Sequence, residues 1–158
     1  MAGISGQFST RFHGSSSSAN GYYLILDYSQ SDPLSETAIR ENATNLTLTL
    51  KLKAIGSSYK IISSANKTVK MGIKDGEIVS STCKIGIDPN KEKTLFTHTY
   101  KVKHNSDGTC ATKIRAYCNV QVTLSGTWYE RVYVPEEDYK EIILNPIPRP
   151  SSLTMELQ

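Results

Sequence analysis

The chain has 158 residues, 38% of them hydrophobic and 8% aromatic, with nine Tyr against three Phe and one Trp. One domain of this size buries roughly 70% of the surface its unfolded chain exposes, so neither a disulfide nor a metal is needed to hold it together. The 18 basic and 15 acidic residues leave a net charge of +3, too nearly balanced to mark a nucleic-acid binder. Residues 1–7 carry neither a charged flank nor an apolar run, so no signal peptide and no membrane span is expected.

In residues 1–20 only Ile4, Phe8 and Phe12 interrupt a small, polar stretch. Two readings are open: an arm whose Phe8 and Phe12 dock on a neighbouring subunit, or an edge strand that sends both rings into the domain's own core. Tyr22, Leu24, Leu26 and Tyr28 then alternate with Tyr23, Ile25 and Asp27, a buried strand that is apolar on both sides in its middle. Pro33 cannot donate to a ladder and ends it. Residues 34–42 lack the apolar positions of a stable helical face and read as a loop with at most a helical turn.

The clearest period of two follows, with Leu46, Leu48, Leu50, Leu52 and Ala54 inward and Thr47, Thr49, Lys51 and Lys53 outward. Gly56-Ser57-Ser58 turns the chain toward a short strand ending at Ile62. Val69, Met71 and Ile73 form the next, and Asp75-Gly76 before Ile78-Val79 signals a hairpin. Cys83, Ile85 and Ile87 read as one more short strand, stopped by Asp88-Pro89-Asn90.

Residues 95–124 read as a long hairpin. Phe96, His98, Tyr100 and Val102 share one face of its first strand, and Cys110, Ile114, Ala116, Cys118, Val120, Val122 and Leu124 one face of its second. The turn is His104-Asn105-Ser106-Asp107-Gly108-Thr109, where Asn and Asp side chains fold the backbone and Gly accepts positive φ; His104, Asn105, Asp107 and Gly108 are expected to brace it. After Ser125-Gly126, Trp128 to Val134 and Tyr139 to Leu144 supply the last two strands. Three prolines within 146–150 then forbid a ladder, so residues 146–158 read as a Pro- and Ser-rich exit linker. Segment 1–20, body 21–145 and linker 146–158 make an all-β chain of about nine or ten strands, an antiparallel β-sandwich with a barrel as the second choice.

Chemistry is sparse. No GxSxG elbow, HExxH pair, Walker loop or dinucleotide fingerprint occurs, so no enzyme, no cofactor and no metal is expected. Cys83, Cys110 and Cys118 form no CxxC pair and read as reduced core residues. His98 reads as a structural histidine on the inward face. Lys51, Lys53, Lys101, Lys103, Lys113 and Arg115 could line up as a basic outer stripe, although exposed strand lysines usually serve solubility and edge protection. Tyr23, Tyr117, Trp128, Tyr129 and Tyr133, with Phe8 and Phe12, are the candidate contacts, either between subunits or as a stacking platform for glycans.

Three stretches carry a resemblance: Tyr28-Ser29-Gln30 before the Thr-rich alternating strand, Val102-Lys103-His104-Asn105-Ser106-Asp107-Gly108, and Ile147-Pro148-Arg149-Pro150-Ser151-Ser152. Together they resemble the amino-terminal part of a family of tail proteins of long-tailed phages of Gram-positive bacteria and related prophages. In that family an Ile-Pro-Arg-Ala-Ser signature closes a β-rich region; here Pro150 takes the fourth place. The resemblance implies a structural protein of the virion, at the tail tip, baseplate or fibre, assembled in the host cytoplasm. Its partners would be copies of itself and other tail proteins, with no nucleic acid and no membrane; the alternative is a carbohydrate-binding module that recognises a host cell-wall saccharide. The resemblance carries over no catalytic residue.

Overall fold

The computed structural model describes residues 3–14, 21–55, 61–62, 66–74, 76–124 and 128–150, with the backbone alone at Ile62, Trp128 and Glu130. The strands in chain order are β1 (Ser5–Arg11), β2 (Tyr22–Gln30), β3 (Ala43–Ala54), β4 (Ile61–Ile62), β5 (Lys67–Ile73), β6 (Ile78–Cys83), β7 (Glu92–Lys103), β8 (Cys110–Tyr117), β9 (Asn119–Leu124), β10 (Trp128–Tyr133) and β11 (Lys140–Leu144), with one helix, α1 (Glu36–Glu41), between β2 and β3. Every ladder between them is antiparallel. They form sheets ordered β1-β2-β3-β7, β11-β8-β5-β6 and β10-β9-β4, a sandwich-like all-β architecture.

Strand β3 has the register its sequence dictates. Leu46, Leu48, Leu50, Leu52 and Ala54 are all buried, and Leu24, Leu26 and Tyr22 meet them from β2. Sheets stack through these inward faces into one core shared with Met71, Ile114, Val122, Leu124 and Ile142. The Tyr100 hydroxyl crosses from β7 to donate to the Met71 carbonyl of β5 at 2.8 Å, and burial, with Glu77 adding to it, pushes its pKa up to about 12.

The long hairpin is the main correction. Beyond its turn β7 pairs with β3, while β8 pairs with β5 and β11 in another sheet. The two strands part because each has an inward face to bury and the faces look at one another across the core. The second strand is also broken at Cys118, which passes the chain from β8 to β9 and from one sheet to the next; bends of this kind make the corners of sandwiches. Within β7 a bulge at Leu95 lies between the pairs Leu50–Phe96 and Lys51–Thr94, so Leu95 and Phe96 both pack on the core.

Two smaller readings change. Ile85 and Ile87 are buried but lie outside any strand, and Ile87 only bridges Ile61. The loop at 34–42 holds α1, capped by Ser35, whose side chain accepts from the Ala38 N–H, and closed by Asn42 at φ 51°. Of the residues of the possible basic stripe, Lys51 pairs with Asp27 and Glu92, Lys53 with Glu92 and Lys101 with Glu41, while Arg115 on β8 is buried. The turns expected at Gly56-Ser57-Ser58 and Ser125-Gly126, Asp75 of the β5–β6 hairpin, and Ser151-Ser152 lie outside the described residues.

Cys83, Cys110 and Cys118 are free. Burial pushes the Cys118 thiol up to about 12, with Cys83 adding to it, and raises Cys110 and Cys83 as well, against the pull of Lys93 on the latter. Alkylation of the folded protein near pH ~8 therefore modifies the half-buried Cys83 first and reaches Cys118 only on unfolding. Peptide mass mapping reads the order, and early modification of Cys118 contradicts the packing.

Candidate functional site

The residues expected to brace the turn belong to a longer hydrogen-bonded chain. Period two carried to the end of β2 and the start of β3 sets Gln30 and Thr44 on the inward face, where a polar group must find partners. Gln30 Nε2 donates to Thr44 Oγ1 at 3.3 Å and to the Asn145 carbonyl at 3.2 Å, while its Oε1 accepts from the Asn145 N–H at 3.0 Å. Thr44 Oγ1 lies 2.9 Å from His104 Nε2, and His104 Nδ1 lies 2.8 Å from the Gly108 carbonyl. That carbonyl can only accept, so Nδ1 carries the proton, and in the neutral ring Nε2 accepts from the Thr44 hydroxyl. The Ile147 N–H donates to the same Gly108 carbonyl at 2.9 Å.

The turn's other residues lock the same end. Asp107 Oδ1 accepts from the Thr109 hydroxyl at 2.6 Å and the Thr109 N–H at 3.0 Å, which holds its carboxyl below the usual range. Asn105 and Thr109 join through N–H to carbonyl at 2.8 Å. Asn42 at the end of α1 donates to the His104 and Asn105 carbonyls, and Arg149 Nη1 donates to the Ile39 carbonyl at 2.6 Å. Ile147 is 1% exposed. The start of the expected linker is thus docked on the sandwich.

A second feature is an open groove of about 1050 Å³ on the outward side of β5 and β8, lined by Tyr117, Tyr133 and residues 134–137. Lys70 stands opposite Tyr117 in the ladder, and the His13 ring packs on Tyr133 with centroids 5.8 Å apart. Arg115 lies in the groove wall, its guanidinium 4.1 Å from the Tyr117 ring centroid.

The candidate contact residues are dispersed. Phe12 is fully buried and Phe8 packs on the same core, which decides for the edge strand over the docking arm: β1 is an edge strand of the first sheet, and just past it His13 bridges Tyr133 of β10. Tyr23 is half-buried on β2, opposite Arg11 and Lys53. Tyr117 and Tyr133 both line the groove, Tyr129 is 71% exposed on β10, and Trp128 pairs with Leu124 along the backbone. His98 is half-exposed, edge-on to Tyr100 and 3.7 Å from Glu77. Asp138, in the acidic run after Pro135, accepts from the Thr10 hydroxyl at 2.7 Å. The sequence marked none of Gln30, Thr44 and Asn42 as a site residue, and it placed Arg115 only in a possible outer stripe; for Gln30 and Thr44 the signal was a polar residue in phase with buried ones.

No protein-family model matches the chain, and no curated protein matches it.

Proposed function

We propose that the chain is a non-enzymatic structural domain of a phage tail, at its tip, baseplate or fibre, which assembles with copies of itself and other tail proteins and holds a host-binding region. One observation supports this reading above others. The three stretches that carry the resemblance, far apart in sequence, meet at one end of the sandwich through the chain Asn145–Gln30–Thr44–His104–Gly108–Ile147. They are parts of one device, which gives the segment after β11 a fixed direction where a linker would give none. A part built into a larger assembly needs such a fixed exit.

Contact with other subunits falls to the exposed apolar side chains, of which Ile143 at 73% and Tyr129 at 71% are the most open among the described residues. Sedimentation velocity over a wide concentration range tests this. Reversible self-association is expected, weakened by Ile143→Asp or Tyr129→Asp with the fold kept. A monomer at every concentration contradicts assembly through copies of this chain.

The groove favours a second reading, a module for host cell-wall glycans, because Tyr117 and Tyr133 stand in its wall beside Asn119 and two carboxylates, Glu136 and Glu137. Glycan binding lost on Tyr133→Ala without unfolding would favour this reading over the first.

A further inference from the structure

The outward face of a strand should carry groups that solvent satisfies, yet Arg115 on β8 is only 7% exposed. A guanidinium has five N–H donors and keeps its charge under all ordinary conditions. Here one of them is used, Nη2 to the Val134 carbonyl at 3.2 Å, and Nε is buried with no partner. No described carboxylate forms an ion pair with it. A buried cation left without an anion is costly, and stacking on Tyr117 offsets only part of that cost. A ligand's oxyanion would complete it, accepting two parallel N–H bonds from the planar fork.

From this we infer that the groove is a binding site for an anionic saccharide, with Arg115 seating a phosphate or carboxylate group and the rest of the groove holding the sugar. Lys67 and Lys70 on β5 also face the groove and raise the local potential for an anion. Tyr133 offers an aromatic surface to a sugar ring. Glu136 and Glu137 would repel a second negative group but accept hydrogen bonds from hydroxyls, as Asn119 can. That mixture suits a polyol carrying one oxyanion better than an acidic peptide, whose carboxylates would recur along the chain and meet the two glutamates. The saccharide half of the inference rests on the second reading above; the oxyanion half rests on Arg115 alone.

Titration calorimetry and amide chemical-shift mapping on the whole chain test it, with glucose 6-phosphate, glucuronate, glucose, inorganic phosphate and a tetraglutamate peptide as probes. Glucose 6-phosphate or glucuronate should bind at least about tenfold more tightly than glucose or inorganic phosphate, with shifts around Arg115, Tyr117 and Tyr133, and the better of the two identifies the oxyanion. Arg115→Gln should abolish that advantage. Because Arg115 is buried and its replacement could unfold the chain, Lys70→Glu at an exposed groove position provides the second variant, expected to weaken the anionic sugars several-fold and glucose hardly at all. Equal binding of glucose and glucose 6-phosphate overturns the oxyanion while leaving the glycan reading intact. Tighter binding of tetraglutamate, or no binding by any probe at millimolar concentration, overturns the whole inference.

Discussion

Leu50→Lys unfolds the domain, whereas Thr49→Lys, one residue away, moves its melting temperature by no more than about 2 °C. Leu50 is fully buried between Leu26 of β2 and Phe96 of β7. Replacing it removes roughly 1.5–3 kcal/mol of apolar burial and places an ammonium where no carboxylate can follow, a penalty of several kcal/mol more. Against a total stability of about 5–15 kcal/mol, the sum leaves little folded protein. Thr49 points the other way, half-buried, with its hydroxyl 3.1 Å from that of Thr97. A lysine there loses one hydroxyl contact and reaches solvent. Circular dichroism melts of the two variants decide the register, and equal tolerance would contradict it.

Gly108→Ala should destabilise the protein by about 2–4 kcal/mol, the sum of an unfavourable backbone conformation and a broken hydrogen-bond pair. Gly108 holds φ at +89°, and a Cβ there would fall on the Ile147 carbonyl oxygen and 3.0 Å from Arg149 Cγ. The backbone cannot give way without releasing the segment after β11, since the Gly108 carbonyl holds both His104 and Ile147. His104→Ala should cost about 1–3 kcal/mol by leaving Thr44 and Gly108 short of partners. The double variant should lose less than the sum, because both changes break the same chain of bonds. Urea unfolding of the four proteins measures this, and a Gly108→Ala cost under about 0.5 kcal/mol, the size of an ordinary surface substitution, would contradict the docking.

How far the sequence foretold these results varies with what alternation can report. In β3 five inward residues in phase leave one choice of face, and the structure follows it. In β7 and β8 the pattern also marked an inward face, but alternation is silent on which strand a ladder joins. Two strands flanking a turn look like a hairpin whether they pair or face each other across a core. Leu95 stood out of phase because a bulge puts it beside Phe96, and single-residue slips of that kind have no sequence signature. Arg115 was misread because outward on a strand means exposed only if nothing crosses over it, and residues 134–137, distant in sequence, wall the groove beside it. The turn at 104–109 was legible, since its Asn, Asp and Gly act locally; its bond to Ile147 was not, being a contact between distant segments.

The docking of the segment after β11 is measured most directly by backbone amide hydrogen exchange at Ile147. Its N–H should exchange as slowly as those of β8 and β11 in the intact protein, and at the rate of an unstructured chain in His104→Ala or Gly108→Ala. Rapid exchange at Ile147 in the unaltered protein would contradict the docking, and with it the fixed exit on which the proposed role in assembly depends.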